Sequence, residues 1–217
     1  MLRVGLTGEL GSGKSTVARM LAERGAIVLS SDEMGRAMMQ PGEPVFAEIV
    51  RQFGENILNP DGTLNRHALA AIAFNPQNPR IEELNAIIHP AVIAAQAQMI
   101  EDISRAQPHA IVVVESALIF STKHAPGHGW ADRFDCIVLV TALDELKIER
   151  FVQRSSSSHS ANASSLRDDA RRRLGAQRAA VPPGVIVYTL ENEGSLGDLE
   201  RGVDALWAKL VALEHNR

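Results

Sequence analysis

The sequence predicts a doubly wound α/β fold, a parallel five-stranded sheet flanked by helices, and three observations carry that expectation. Five short apolar runs rich in Val and Ile recur along the 217 residues without strict alternation, as strands buried on both faces do. Segments of helical period stand between them. The first run leads directly into a glycine-rich turn and then an amphipathic helix, a strand–turn–helix unit with a phosphate-binding pattern.

The predicted strands are Leu2–Thr7, Ala26–Ser30, Ala110–Glu115, Cys136–Thr141 and Val185–Leu190. Predicted helices cover Lys14–Arg24, Asp144–Arg154 and Leu166–Arg178. A closing helix near Leu196–Leu213 keeps Leu199, Val203, Leu206 and Leu210 on one face. Two connections exceed a simple crossover. Glu33–His109 reads as a helical insertion with periodic pieces at Pro44–Phe53, His67–Phe74 and Arg80–Ala106. Thr141–Val185 reads as a second helical excursion, interrupted by the Ser-rich and mobile run Ser155–Ser165. Long excursions from a compact sheet are often lids or substrate-holding parts.

Composition excludes several classes. A formal net charge of -4 with 4 % aromatic residues argues against nucleic acid as a partner, because it supplies neither a basic footprint nor stacking platforms. No apolar run approaches the length of a membrane helix, and Met1-Leu2-Arg3-Val4-Gly5 enters a strand pattern instead of a signal peptide, so a cytoplasmic protein is expected. Cys136 is the sole cysteine and lies in an apolar run, which leaves no internal disulfide and no cysteine-based metal site. Oligomeric state has no signature in the chain.

Gly8-Glu9-Leu10-Gly11-Ser12-Gly13-Lys14-Ser15 matches GxxxxGK[ST] in the context the motif requires. The glycines let the backbone wrap a phosphate chain, and the following helix offers it a positive end. Gly11, Ser12, Gly13, Lys14, Ser15 and Thr16 are thus the expected phosphate-binding residues. Lys14 neutralises the β- and γ-phosphates and Ser15 ligates Mg²⁺. The loop alone does not separate a kinase from a GTPase. However, a guanine-reading Asn/Thr-Lys-x-Asp segment is missing, the near match Thr122-Lys123-His124-Ala125 lacking its carboxylate.

Asp32 follows the second strand, where carboxyl ends of strands converge on a ligand crevice. It suits a base that takes a hydroxyl proton, a Mg²⁺ ligand, or equally a helix N-cap. Glu115 ends the third strand and suits a metal or water ligand or a plain surface carboxylate. Between Leu146 and Arg178 stand eight basic and three acidic residues. Such an element fits a lid over a triphosphate. It equally fits a solvated helix with Asp168–Arg172 and Asp169–Arg173 ion pairs. Arg150 and Arg154, one turn apart and without such partners, are the stronger catalytic candidates.

With these residues in place, the sequence resembles the dephospho-CoA kinase family over nearly its whole length. Gly5-Leu6-Thr7-Gly8 runs into the phosphate loop, Asp32 and Arg36 follow, and Gln40-Pro41-Gly42 leads into the insertion. The most specific stretch is Phe53-Gly54-Glu55-Asn56-Ile57-Leu58-Asn59-Pro60-Asp61-Gly62-Thr63-Leu64-Asn65-Arg66, followed by Leu69, Phe74 and His89-Pro90. Arg150, Arg154, Arg173-Leu174-Gly175-Ala176-Gln177 and Leu190-Glu191-Asn192 complete it.

The resemblance implies a P-loop NTPase architecture with a helical substrate-binding insertion and a helical lid, and ATP-dependent phosphorylation of the ribose 3′-hydroxyl of dephospho-CoA. It implies a single kinase domain, with a nucleotide-binding core (1–32, 109–142, 181–217), a CoA-binding insertion (33–108) and a lid (143–180). It makes Asp32 the base, Arg150 a lid residue on the transferring phosphoryl and Lys14 a third catalytic group. The chain departs from the family pattern in four places. Ser30-Ser31-Asp32 stands for Asp-x-Asp, and Glu9 replaces a common Gly. Glu115-Ser116-Ala117-Leu118-Ile119-Phe120-Ser121 has its first acid lengthened and its last lost, and Ser155–Ser165 with Pro182-Pro183-Gly184 alters the lid's ends. Two other readings fit the residues: a kinase of another nucleoside or nucleotide on the same scaffold, and a nucleotide- or CoA-binding homologue without catalysis.

Overall fold

Five parallel strands, β1 (Leu2–Gly8), β2 (Ile27–Ser30), β3 (Ile111–Glu115), β4 (Cys136–Thr141) and β5 (Val187–Glu191), form a sheet in the order β2-β3-β1-β4-β5. The computed structural model describes residues 1–120, 131–156, 163–177 and 184–216. In register, Leu6 lies opposite Glu115 on one side and Val138 on the other, and Thr141 lies opposite Glu191. Central β1 therefore has the carboxyl ends of β3 and β4 on either side. That is where ligands bind in open α/β sheets.

Two compact units divide the chain. The first holds residues 1–29, 103–120 and the described residues from 131 onward. Its core packs Leu2, Val4 and Leu6 of β1 and Val138 of β4 with Val17 and Leu21 of α1 (Lys14–Glu23). Leu199, Val203, Leu206 and Leu210 of the closing helix join the same cluster as expected. The second unit holds residues 30–102 among those described. It contains α2 (Ser31–Met38), α3 (Pro44–Phe53), a 3-10 turn (Glu55–Ile57), α4 (Arg66–Ala73) and most of α5 (Ile81–Ala106), which continues through Pro90. Its own core comprises Ile49, Phe53, Ile57, Leu64, Leu69, Ala73 and Leu84.

The family-specific stretch Phe53–Arg66 builds that second core. Phe53, Ile57 and Leu64 face inward, and Leu58 bridges Leu64 across a turn. Asp61 closes the turn by accepting the Thr63 backbone N–H at 2.9 Å and its hydroxyl at 2.6 Å. Asn65 then caps α4 by accepting the Ala68 N–H at 3.0 Å. The Arg80 guanidinium lies 4.4 Å from the centroid of the Phe53 ring.

In the first unit, α6 (Asp144–Ser156) and α7 (Ala163–Gln177) pack together through Ile148, Phe151, Ala170 and Leu174, with Leu10 of the glycine-rich turn against them. The closing helix α8 (Leu196–His215) begins with a reciprocal Ser195–Asp198 capping box.

Four expectations need correction. The chain turns helical at Ser31 directly after β2, and Ser30, not Asp32, caps α2 by accepting the Glu33 N–H at 3.4 Å. The fifth strand starts at Val187, because Val185 lies in the bend that brings the chain to the sheet edge. Asp168 takes Arg171 at 3.2 Å instead of Arg172, which goes to Asp169 at the same distance, since i,i+3 neighbours on a helix are as close as i,i+4. The Asp169–Arg173 pair forms as expected at 2.9 Å. Finally, the ends of the Ser155–Ser165 run are helical, 155–156 ending α6 and 163–165 opening α7. Residues 157–162, Ser121, Thr122–Ala125, Arg178, Pro182 and Pro183 lie outside the described residues.

Candidate active site

The loop after β1 turns on two glycines whose conformations other residues rarely adopt. Gly11 has φ 74°, and a Cβ there would meet the Lys147 carbonyl at 2.2 Å; Gly13 has φ 99°, and a Cβ there would meet Asn192 Nδ2 at 2.2 Å. Ser12 N–H donates to the Glu9 carbonyl at 3.2 Å, and Lys14 Nζ reaches the same carbonyl at 3.3 Å. Gly13 precedes α1 without any side-chain cap, so the helix turns its positive end toward an anion at Lys14 and Ser15, while the Thr16 N–H donates to the Gly13 carbonyl at 3.1 Å. A cavity of about 210 Å³ opens beside the loop, lined by Thr7, Glu9, Phe120, Thr141 and Lys147 among others.

Two buried polar atoms here have no hydrogen-bond partner in the structure: Ser12 Oγ, and Nη1 of Arg150. The other arm of Arg150 donates to the Asn192 carbonyl at 3.0 Å and to Asn192 Oδ1 at 3.4 Å. Asn192 Nδ2 in turn donates to the Ser12 carbonyl at 2.8 Å, and the Asn192 N–H donates to the Thr141 carbonyl at 2.8 Å. A buried asparagine at the end of β5 thus links an arginine of α6 to the loop backbone.

The Ser15 hydroxyl donates to Glu115 Oε1 at 2.8 Å, so the first turn of α1 meets the end of β3. Glu9 does not stand as an unpaired acid. Its Oε2 pairs with Nζ of Lys147, which also contacts Asp144 Oδ1 at 2.6 Å. Burial alone would lower the Lys147 pKa, but hydrogen bonds and charge from Asp144 and Glu9 outweigh it and hold the ammonium above its ordinary value.

Asp32 belongs to the second unit, where it is exposed in the first turn of α2. Its helix is fixed within that unit. Buried Gly35 lies against Ile88 and Val92 of α5, and fully buried Gln96 donates to the Ser31 hydroxyl at 2.9 Å.

A family model described as dephospho-CoA kinase matches residues 2–186. The chain belongs to the dephospho-CoA kinase family. Similar relatives bearing that name include one from Moorella thermoacetica, 37 % identical over 97 % of this chain and 92 % of its own. Another, from Leifsonia xyli subsp. xyli, is 38 % identical over 97 % of this chain and 99 % of its own. Among solved structures, a Thermus thermophilus protein is 32 % identical with a TM-score of 0.69, covering 96 % of this chain and 97 % of its own. The dephospho-CoA kinase of Campylobacter jejuni has the same fold, with a TM-score of 0.61 at 16 % identity over 97 % of both chains.

For this member of the dephospho-CoA kinase family, the predicted phosphate-loop residues and Arg150 come together in one unit, and Glu115 joins them through Ser15. Arg154 lies one turn further along α6, exposed. Arg150, expected to lack an ion-pair partner one turn away, donates instead to Asn192. Sequence reasoning also missed Lys147 as anything beyond one charge of a basic run, and it missed Gln96. Asn192 was visible only as part of a resembling segment, because its partners Ser12 and Arg150 are 180 and 42 residues away.

Proposed function

We propose that this kinase transfers the γ-phosphoryl group of ATP to the ribose 3′-hydroxyl of dephospho-CoA, giving CoA and ADP, with Gly11–Thr16 holding the ATP phosphates, Asp32 as the base and the helices of 33–108 binding CoA. The observation that carries this reading is the phosphate loop itself: two positive-φ glycines, an uncapped helix start, and the unpartnered Ser12 Oγ and Arg150 Nη1 beside it. Buried donors without partners are costly, so their presence supports a bound anion that satisfies them. Gly11 to Thr16 hold the phosphates, and Lys14 offsets their charge.

Ser15 and Glu115 fit a Mg²⁺ ion: a hydroxyl and a carboxylate 2.8 Å apart are hard oxygen donors. When bound, Mg²⁺ neutralises charge on the phosphate oxygens. Asp32 is the base that accepts the hydroxyl proton as oxygen attacks phosphorus; it lies exposed just past β2, where Ser30 supplies the helix cap. Arg150, on the lid pair α6–α7, stabilises charge on the transferring group. No described helix is long and apolar enough to cross a membrane.

Incubation with ATP, Mg²⁺ and dephospho-CoA should produce CoA, resolved chromatographically. Absence of product at high enzyme concentration, with a control kinase active, removes this reading. Preference for a nucleoside monophosphate in the same assay redirects it to another acceptor, and nucleotide-induced thermal stabilisation without transfer redirects it to binding alone.

A further inference from the structure

We propose that Lys147 is the internal countercharge of the phosphate loop, a positioning residue that cancels the carboxylate of Glu9 so that a loop carrying an acid still accepts a polyphosphate. This rests on the reading that the loop holds the phosphates of ATP.

Glu9 is the second residue of the glycine-rich motif, so it places an acid in a loop that holds a polyanion on this reading. Its side chain is only 28 % exposed, and its Oε2 pairs with the Lys147 ammonium. The Lys147 side chain is 6 % exposed, an unusual place for lysine unless its charge is matched. Asp144, one turn earlier on α6, supplies the second match at 2.6 Å. The backbone of Lys147 abuts the loop as well, its carbonyl occupying the space a Cβ on Gly11 would need. Lys147 and Glu9 both line the cavity beside the loop. Pairing consumes the charge of Lys147 within the protein and leaves Lys14 as the loop's own cation toward phosphate. The arrangement also aims the Glu9 carboxylate at α6 instead of the anion, while the Glu9 carbonyl holds Lys14.

The decisive measurement is a double-variant cycle read as ATP affinity by equilibrium titration, beside KM and kcat for CoA formation. Lys147→Met keeps the side chain's length and removes its charge. It should weaken ATP binding and raise KM for ATP about tenfold by exposing the nucleotide to an uncompensated carboxylate, with kcat within about threefold of the parent. Adding Glu9→Gln should return the affinity to within about threefold of the parent, because the repelling charge is gone. Lys147→Met binding ATP like the parent, or a double variant as weak as Lys147→Met alone, overturns the proposal. Glu9→Gln by itself serves if Lys147→Met does not fold: it should bind ATP at least as tightly as the parent, and weaker binding overturns the proposal. A parent chain that forms no CoA counts against the proposed function, whereas an active parent with a flat cycle counts against Lys147 alone.

Discussion

Asn192 donates its side-chain amide to the Ser12 carbonyl at 2.8 Å, joining the end of β5 to the middle of the phosphate loop across 180 residues of chain. The same residue accepts Arg150 through its carbonyl and its Oδ1. Asn192→Ala cuts the tie to the loop and leaves a carbonyl unmatched. It should lower kcat about tenfold and cost about 1–3 kcal/mol of stability. Combined with Arg150→Ala it should add little to the loss from Arg150→Ala alone, since the two act as one unit. Steady-state kinetics and thermal unfolding of the three variants test this, and additive rate losses refute it.

Asp32→Asn should leave ATP affinity near that of the parent while lowering kcat by about 10²–10⁴-fold, the usual worth of a positioned general base. Asp32 is exposed and Ser30 holds the capping role, so the substitution should leave stability unchanged. An unchanged kcat removes Asp32 from the base role.

Glu115→Gln keeps a hydrogen-bond acceptor for Ser15 but removes the charge. A residue that supports Mg²⁺ in this way should, when altered, raise the Mg²⁺ concentration for half-maximal rate about 10–100-fold. Magnesium titration of the rate at saturating ATP reads the effect directly.

Ile57 is fully buried among Phe53, Leu64 and Leu69 in the core of the second unit. Ile57→Ala should cost about 2–5 kcal/mol by creating a cavity there. ATP affinity in the folded fraction should stay at the parent value, because the phosphate loop lies in the other unit. Denaturant unfolding and nucleotide titration separate the two effects.

What was legible in the chain was what local pattern encodes. β4 and α3 match their predicted bounds because apolar runs and helical period announce themselves within a few residues. The phosphate loop was equally plain. By contrast, α2 is eight residues long, polar on most of its turn and broken in pattern by Gly35, so its helical state depends on packing against α5 that no local signal reports. Lys147 illustrates the same limit for the site. In the sequence it is one cation among eight, and only the approach of α6 to the loop makes it buried and paired. Asn192 and Gln96 act through partners 180 and 65 residues distant, beyond any spacing rule.

Cys136 stands opposite Val4 in the middle of the sheet and is wholly inaccessible to solvent. As the chain's sole thiol, it turns the molecule into its own unfolding reporter, because a thiol-reactive dye can reach it only when β1 and β4 part. The same burial leaves the exterior chemically silent toward such dyes. A single cysteine placed on α6 or α2 would then carry a probe alone, and the surroundings of each helix during a turnover could be followed without first stripping the native protein of competing groups.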